Sequence, residues 1–151
     1  MAAYDLSGDD VFKHKAQDLG DRLMNAFSLP NGVPYPFVHL ENKETSFPGW
    51  QRGNVILSEI ALQIEFRFLS NISGNNVYAD KAHHILEVLN ELKPLHGLYP
   101  VYLDSNTLKP AGDKKFSFGG MGDSFYEYLL KAWIQGNRTD DMYRNMVGFS
   151  Y

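Results

Sequence analysis

The sequence has no cysteine, no cluster of basic residues and no long apolar run. Without cysteine, the 151-residue chain can form neither a disulfide nor a thiolate metal site. Its formal net charge is −4 and its 14 lysines and arginines are scattered, so we expect no nucleic-acid partner. No apolar run approaches the roughly 20 residues that cross a bilayer, so we expect no membrane-spanning segment in this chain.

A glycine-rich turn that leads into an acidic and apolar segment is the most informative part of the sequence. Residues 119–122 contain three glycines, and residues 123–133 are apolar on nearly every side. The pattern predicts a helix that begins at Asp123 or Ser124 and is buried all round. Asp123 and Glu127 are four residues apart, which places both carboxylates on one face at the helix N-terminus, where free N–H groups favour negative charge.

Two interpretations of these acids are open from the spacing alone. Ser124 and Glu127 have the spacing of a capping box, in which the hydroxyl and the carboxylate only satisfy the first turn of the helix. Alternatively, Asp123 and Glu127 form a carboxylate site that faces a ligand.

An internal repeat organises the rest of the chain. Residues 6–16 return as residues 72–82, and a weaker third copy starts near residue 135. Residues 10–27 and 76–93 are amphipathic, as outer helices are, whereas residues 54–70 and 123–135 are apolar nearly all round, as inner helices are. We therefore predict an all-α fold of about five substantial helices, a segment of an α/α toroid in which inner helices line a barrel and outer helices cover it.

Two long connections, residues 30–52 and 95–118, are rich in Pro, Gly and aromatic residues, and we predict short β-hairpins in them at one barrel mouth. Their aromatic side chains either stack on sugar rings or pack beneath the loops. The candidates are Tyr35, Trp50, Tyr99 and Tyr102.

The segment Gly-Asp-Ser-Phe-Tyr-Glu-Tyr-Leu-Leu-Lys-Ala-Trp at residues 122–133 resembles the signature of the class I α-1,2-mannosidases, glycoside hydrolase family 47. The resemblance runs from about Ala3 to about Met142. It implies that residues 1–151 are a partial α/α-barrel domain, roughly a third of the family's catalytic domain.

The activity implied by the resemblance is hydrolysis of terminal α-1,2-linked mannose from high-mannose N-glycans, with inversion and with calcium as cofactor. By matching position, Asp123 is a catalytic carboxylate, and Glu59 and Glu127 are substrate-binding acids of the sugar and calcium-water shell. The general acid of the family precedes the segment that matches Met1, and the base and the main calcium ligand lie in later hairpins. We accordingly assign no metal ligand in this chain, and its five histidines have no convincing ligand spacing.

The chain departs from the family pattern between two acids of the predicted inner helix. Glu59 and Glu65 are six residues apart, where the family has seven, which would rotate one acid by about 100° unless the helix is distorted. Glu65 either faces the barrel lumen or pairs with a neighbour such as Arg67. Met121 matches the Golgi-type branch of the family, so the resemblance implies a Golgi or endoplasmic-reticulum lumen and a membrane-anchored full-length protein.

A non-catalytic role is the alternative. The chain would then be a glycan-binding or helical-repeat interaction module derived from the same family. Because the expected general acid and base are absent from it, we expect the 151-residue chain to bind mannose-type ligands weakly and to hydrolyse none.

Overall fold

A computed structural model describes residues 1–112 and 114–148. Most of the regular structure in these residues is helical, which confirms the predicted fold class. None of the helices in the described residues has the length and apolar character that a membrane span requires. The helices are α1 Ala2–Ser7, α2 Asp10–Leu23, α3 Gln63–Ser73, α4 Val77–Glu91, α5 Asp123–Gln135 and α6 Asp141–Val147. The strands are β1 Phe37–Val38, β2 Thr45–Ser46, β3 Asn54–Ile56 and β4 Tyr102–Asp104.

The two predicted amphipathic helices are present as α2 and α4. The Asp9 carboxylate caps α2 by accepting a hydrogen bond from the Val11 N–H at 3.0 Å, and the chain tightens into a 3-10 helix after Leu23. In α4 the buried positions recur at helical spacing, which gives this helix one apolar face and one solvated face. These positions are Tyr78, Ala82, Ile85, Leu86 and Leu89.

The inner helix predicted at residues 54–70 is wrong in its first half. Residues 54–56 form β3, residues 57–60 form a 3-10 turn, and α3 starts only at Gln63. The reason lies in the backbone hydrogen bonds. The N–H of Leu57 donates to the Val101 carbonyl at 2.9 Å, and the N–H of Ser58 donates to the Met121 carbonyl at 2.9 Å. Distant segments therefore take up the groups that a helix would have paired internally.

The strands form two small sheets. β1 and β2 pair as the hairpin that was predicted for the first long connection. β4 lies in the second long connection, but it pairs antiparallel with β3, with Val55 opposite Leu103. This pairing anchors the second connection to the segment that leads into Glu59.

α3 is central, since it packs against α2, α4 and α5. α5 buries Phe125, Leu129 and Ala132 against α3 and α6, but it is not buried all round as predicted. Leu130 and Ile134 are 46% and 52% exposed, because no described element covers that face. α5 therefore has one packed face and one open face.

Candidate active site

The turn that carries Glu59 and the N-terminus of α5 are held together by the backbone. Ser58 precedes Glu59, and its N–H donates to the carbonyl of Met121, two residues before Asp123. Such a link keeps the Cα atoms of Glu59 and Asp123 within about 20 Å of each other. The structure thus places two of the predicted site residues in one region of the fold.

Gly122 determines how closely the preceding loop approaches α5. The N–H groups of Gly122 and Asp123 both donate to the Gly119 carbonyl at 3.0 Å. A Cβ atom at residue 122 would collide with the backbone carbonyl of Ser117. The glycine-rich sequence is therefore required sterically, and it fixes where Asp123 starts the helix.

The capping box suggested by Ser124 and Glu127 does not form. The Asp123 carboxylate instead accepts from the Ser124 N–H at 2.8 Å, and the Glu127 carboxylate pairs with the Lys131 ammonium one turn later. Asp123, Glu127 and Lys131 are all exposed. They recur every four residues, so the open face of α5 carries both predicted carboxylates in positions that a ligand can reach.

Glu59 occupies a more enclosed position than the acids of α5. The buried Gln51 donates its Nε2 amide to both Glu59 carboxylate oxygens, at 2.7 and 2.8 Å. Burial raises the pKa of Glu59 above its usual value, while the hydrogen bonds from Gln51 and from the Ile56 backbone act in the opposite direction. Glu59 also lines an apolar pocket of about 240 Å³ together with Leu62 and Phe66.

Glu65 does not pair with Arg67, which was one of the two predicted possibilities. The Tyr128 hydroxyl of α5 donates to Glu65 at 2.7 Å, whereas Arg67 donates to the Ala132 carbonyl at 2.8 Å. The Glu65 hydrogen bond, burial and the charges of Glu65 and Glu127 raise the pKa of Tyr128 to about 12. The charges of Glu65 and Glu127 therefore both raise the pKa of the Tyr128 hydroxyl. Glu65 thus belongs to the same region as Glu127, whereas the sequence alone left its position open.

The six-residue spacing between Glu59 and Glu65 does not rotate one acid on a common helix. Glu59 lies on the 3-10 turn and Glu65 lies on α3, with a non-helical Ala61 between them at φ −81° and ψ 79°. The two acids therefore do not share one continuous helix. The helix is interrupted between them, which is the local distortion that the sequence analysis gave as the alternative to a rotation.

The four aromatic candidates separate into two kinds. Tyr99 is buried and donates its hydroxyl to the Leu89 carbonyl, and Tyr35 packs against Phe47 at 4.8 Å between ring centroids. Trp50, in contrast, is 61% exposed, and the half-buried Tyr102 lines the same cleft. Packing therefore accounts for Tyr35 and Tyr99, whereas Trp50 and Tyr102 face a space that can hold a ligand.

Carboxylate oxygens are the ligands that calcium prefers, so a cluster of these acids would be the place for a calcium ion. Within residues 1–112 and 114–148, no three His, Asp or Glu side chains are arranged to hold a metal ion. The carboxylates present thus do not form a calcium site on their own, and we assign no metal ligand among them.

Comparison with known proteins identifies relatives along nearly the whole chain. The model of glycosyl hydrolase family 47 matches residues 1–150. A mannosyl-oligosaccharide 1,2-alpha-mannosidase of Arabidopsis thaliana is 41% identical over 150 residues, which are 97% of this chain and 27% of that protein. Mannosyl-oligosaccharide 1,2-alpha-mannosidase IB of Mus musculus is 43% identical over 148 residues, which are 97% of this chain and 23% of that protein.

The fold has a solved counterpart as well. The structure of an alpha-1,2-mannosidase from Trichoderma reesei superposes with a TM-score of 0.75 at 28% identity, covering 91% of this chain and 28% of that one. The chain therefore spans about a quarter of the length of the proteins that it matches.

Proposed function

The chain belongs to glycosyl hydrolase family 47, and from this premise we propose that it forms part of the catalytic domain of a mannosyl-oligosaccharide 1,2-α-mannosidase. One structural observation carries the proposal. The signature segment, residues 122–133, folds as a helix that presents Asp123 and Glu127 on its open face, and it is tied to the turn of Glu59 by the Ser58 backbone.

The acids differ in environment, and this supports different roles for them. Asp123 is exposed at the N-terminus of α5, so its carboxyl group is accessible to a substrate and is suited to act as a catalytic carboxyl group. Glu127 is exposed one turn later and can accept hydrogen bonds from sugar hydroxyls. Glu59, held by Gln51 in a partly buried position, is suited to position a sugar.

Inverting hydrolysis needs an acid and a base about 6.5–9.5 Å apart on opposite sides of the glycosidic bond. In this proposal Asp123 takes part in one of these functions, and hairpins of the family domain outside residues 1–151 supply the other. The substrate is a high-mannose N-glycan, as the family resemblance implies.

Calcium belongs to the proposal through the resemblance alone. In the complete family domain it would hold the sugar, and Glu59 and Glu127 would contact it through water. The acids within residues 1–112 and 114–148 do not form a metal site by themselves. Addition of calcium to the 151-residue chain should leave its Tm unchanged.

We also propose that the protein acts in the lumen of the Golgi or the endoplasmic reticulum and that its full-length form is membrane-anchored. Two sequons, at Asn71 and Asn137, would be glycan acceptors in a secretory lumen, and both asparagines are exposed. A tagged full-length protein whose N-glycans are removed by a glycosidase would support this location, and an unglycosylated cytosolic product would contradict it.

The direct experiment is a titration of the 151-residue chain with α-1,2-linked mannobiose, followed by backbone NMR. Asp123→Asn and Glu127→Gln should each weaken binding, because each replacement removes a charged acceptor. Asp10→Asn is the matched control, since Asp10 lies in the first turn of α2 and is also exposed. Equal affinity of all four proteins, or no binding by any of them, would contradict the proposal.

A further inference from the structure

A cavity of about 390 Å³ is lined by residues from the end of α4 and from the second long connection. Its volume lies within the range of small-molecule sites. Most of the lining side chains are aliphatic or aromatic or belong to prolines, and we name the cavity after the buried residue in its wall, the Leu103 cavity. The other large apolar side chains of the lining are Leu92, Leu98, Tyr99, Leu108 and Phe116.

The Leu103 cavity is separate from the candidate active site. Successive side chains of a strand point to opposite faces, and in β4 Tyr102 lines the cleft that contains Trp50 and Asn54, whereas Leu103 lines this cavity. Among the described residues, the cavity shares no lining residue with that cleft or with the pocket of Glu59. A ligand of the Leu103 cavity is therefore distinct from a substrate at the carboxylates.

Hydrogen bonds fix the turn that forms one wall of the cavity. The Asp104 carboxylate accepts from the N–H groups of Asn106 and Thr107, at 3.1 and 2.8 Å, and from the Thr107 hydroxyl at 2.8 Å. Leu108 then adopts a left-handed backbone at φ 54° and donates its N–H to the Asp104 carbonyl at 2.8 Å. The wall is therefore preformed, so a ligand does not have to order it.

The apolar lining includes both buried and exposed side chains. Leu103 and Leu108 are buried, whereas Leu92 and Phe116 are large apolar side chains in contact with water. An aliphatic group in the cavity would remove apolar surface of the protein and of the ligand from water, which is the main driving force for such binding. The lining therefore favours a ligand with an alkyl chain.

Two lysines line the same cavity. Lys93 follows the end of α4, Lys109 follows Leu108 in the turn after β4, and both are exposed. None of the described lining residues is acidic. Across residues 1–112 and 114–148, neither lysine forms a salt bridge with a carboxylate. The cavity thus combines apolar walls with positive charge, which is complementary to an apolar anion.

We propose that the Leu103 cavity binds a medium-chain aliphatic carboxylate, with its alkyl chain against Leu103 and Leu108 and its head group at Lys93 and Lys109. The walls select the alkyl chain, and the two ammonium groups select the charge of the head group. An uncharged alcohol would lose the charge-assisted hydrogen bonds, and an alkylammonium ion would be repelled. The proposal does not rest on the proposed function, because no carboxylate of the candidate active site takes part.

The test is a calorimetric titration of the 151-residue chain with octanoate, octanol and octylamine, each below the concentration at which it forms micelles. Octanoate should bind saturably, with a Kd roughly 3- to 10-fold below that of octanol, because hydrogen bonds to exposed ammonium groups add a modest amount of affinity. Octylamine should bind more weakly than octanol. In backbone NMR spectra, octanoate should shift the amide resonances of Leu103 and Leu108 and leave the indole resonance of Trp50 unchanged.

Lysine variants test the role of the head group without disturbing the buried walls. Lys93→Met and Lys109→Met keep most of the aliphatic stem and remove the charge. Each should raise the Kd for octanoate roughly 2- to 5-fold, and the double variant should bind octanoate no better than octanol. Lys43→Met is the matched control, because Lys43 is also exposed and, like Lys93, has a left-handed backbone, at φ 66° and 43° respectively. It should leave the Kd unchanged.

Three results would overturn the assignment. They are equal Kd values for octanoate and octanol, the absence of saturable binding, and resonance shifts on the exposed apolar residues of α2 and α5 instead of the cavity. Asp123→Asn should leave the Kd for octanoate unchanged. The proposed function is tested by mannobiose and this cavity by octanoate, so the failure of one is observed separately from the failure of the other.

Discussion

Glu59 illustrates how opposing effects act on one carboxyl group. Burial disfavours its charged form and raises its pKa, whereas the two hydrogen bonds from Gln51 stabilise the carboxylate and lower the pKa. Burial is the larger effect, so the net pKa lies above the ordinary value. The Gln51 amide is thus the side chain that opposes the effect of burial on the pKa of Glu59.

The first prediction concerns the pKa of Glu59. Gln51→Leu removes the amide donor and leaves burial unopposed, so this pKa should rise further. The measurement is an NMR titration of the Glu59 side-chain carboxyl carbon. Asn54→Leu, which alters a cleft residue without a described bond to Glu59, is the control. A pKa that falls in Gln51→Leu would show that the hydrogen bond does not act as described.

The second prediction concerns stability against pH. Because the pKa of folded Glu59 is raised, the protonated form favours folding, and this contribution is complete below the ordinary pKa and is lost as pH rises through the folded pKa. The glutamine of Glu59→Gln cannot ionise. The free energy of unfolding of this variant, minus that of the original chain, should therefore increase as pH rises from about 4 to 7. Urea unfolding at several pH values measures the difference. A difference that is constant with pH would contradict the prediction.

At the scale of elements, periodicity predicted α2 and α4 because each has several turns with apolar residues in register, and the glycine-rich turn before an apolar run predicted α5. It failed at residues 54–62, where Val55, Ile56, Leu57 and Ile60 are all buried. A short strand buried on both faces has the same unbroken apolar pattern as a buried helix, and only its partner β4, about 50 residues away, distinguishes the two.

The candidate site was predictable to a similar degree. The signature segment drew attention to Asp123 and Glu127, and of the two interpretations left open by their spacing the capping box does not form, since Glu127 pairs with Lys131. The bond between Glu65 and Tyr128 joins residues that are 63 positions apart, so no local pattern could reveal it. Long-range contacts of this kind are determined by helix packing, which a single sequence does not encode locally.

The third prediction tests the packing of α2 on α3. Gly20 is buried in α2, and a Cβ atom there would lie 2.5 Å from Leu69 Cδ2 and 3.2 Å from Tyr78 Cε1. Alanine gains about 1 kcal/mol of helix propensity over glycine, but overpacking typically costs about 1–3 kcal/mol. Leu69 is 2% exposed and has little room to move, so Gly20→Ala should lower the unfolding free energy.

The control for this substitution is His14→Ala on an exposed position of the same helix. It should change stability by no more than about 0.5 kcal/mol, because no tightly packed neighbour is affected. Chemical denaturation of the three proteins measures both effects. A Gly20→Ala chain more stable than the original would mean that α2 and α3 are packed less closely than the structure shows.

At the scale of the whole molecule, apolar side chains remain exposed on the two helices that flank α3. Val11, Phe12 and Leu19 are exposed on α2, and Leu130 and Ile134 are exposed on α5. In an α/α toroid each hairpin is covered by the next one, so surfaces of this kind lie at the seams between hairpins. We propose that these two exposed surfaces are such seams.

The fourth prediction is that the 151-residue chain associates as its concentration rises, since contiguous apolar patches promote association. Light scattering after size exclusion, over a hundredfold concentration range, measures this. Leu19→Lys and Ile134→Lys should each reduce the association, whereas Val77→Lys at the start of α4 should not. A monodisperse monomer throughout, with one cooperative melting transition, would contradict the interpretation of these surfaces as seams.

The last prediction joins the site to the whole molecule: the 151-residue chain should bind α-1,2-linked mannose without hydrolysing it. Inversion requires a proton donor on one side of the glycosidic bond and a base-activated water on the other. Asp123 can take part in only one of these functions, and the family resemblance assigns the other to segments outside residues 1–151. Loss of a positioned acid or base typically lowers the rate about 10²–10⁴-fold, so turnover should lie near background.

Release of mannose from an α-1,2-linked oligosaccharide, with calcium added, measures this turnover. Asp123→Asn is the control that separates activity of this chain from a contaminating hydrolase. Release above background that disappears in Asp123→Asn would mean that Asp123, with Glu59, Glu65 or Glu127 as its partner, completes an acid and base pair. In that case the open face of α5 and the Glu59 turn would form a sufficient active site, because they bring together the four carboxylates described in this region.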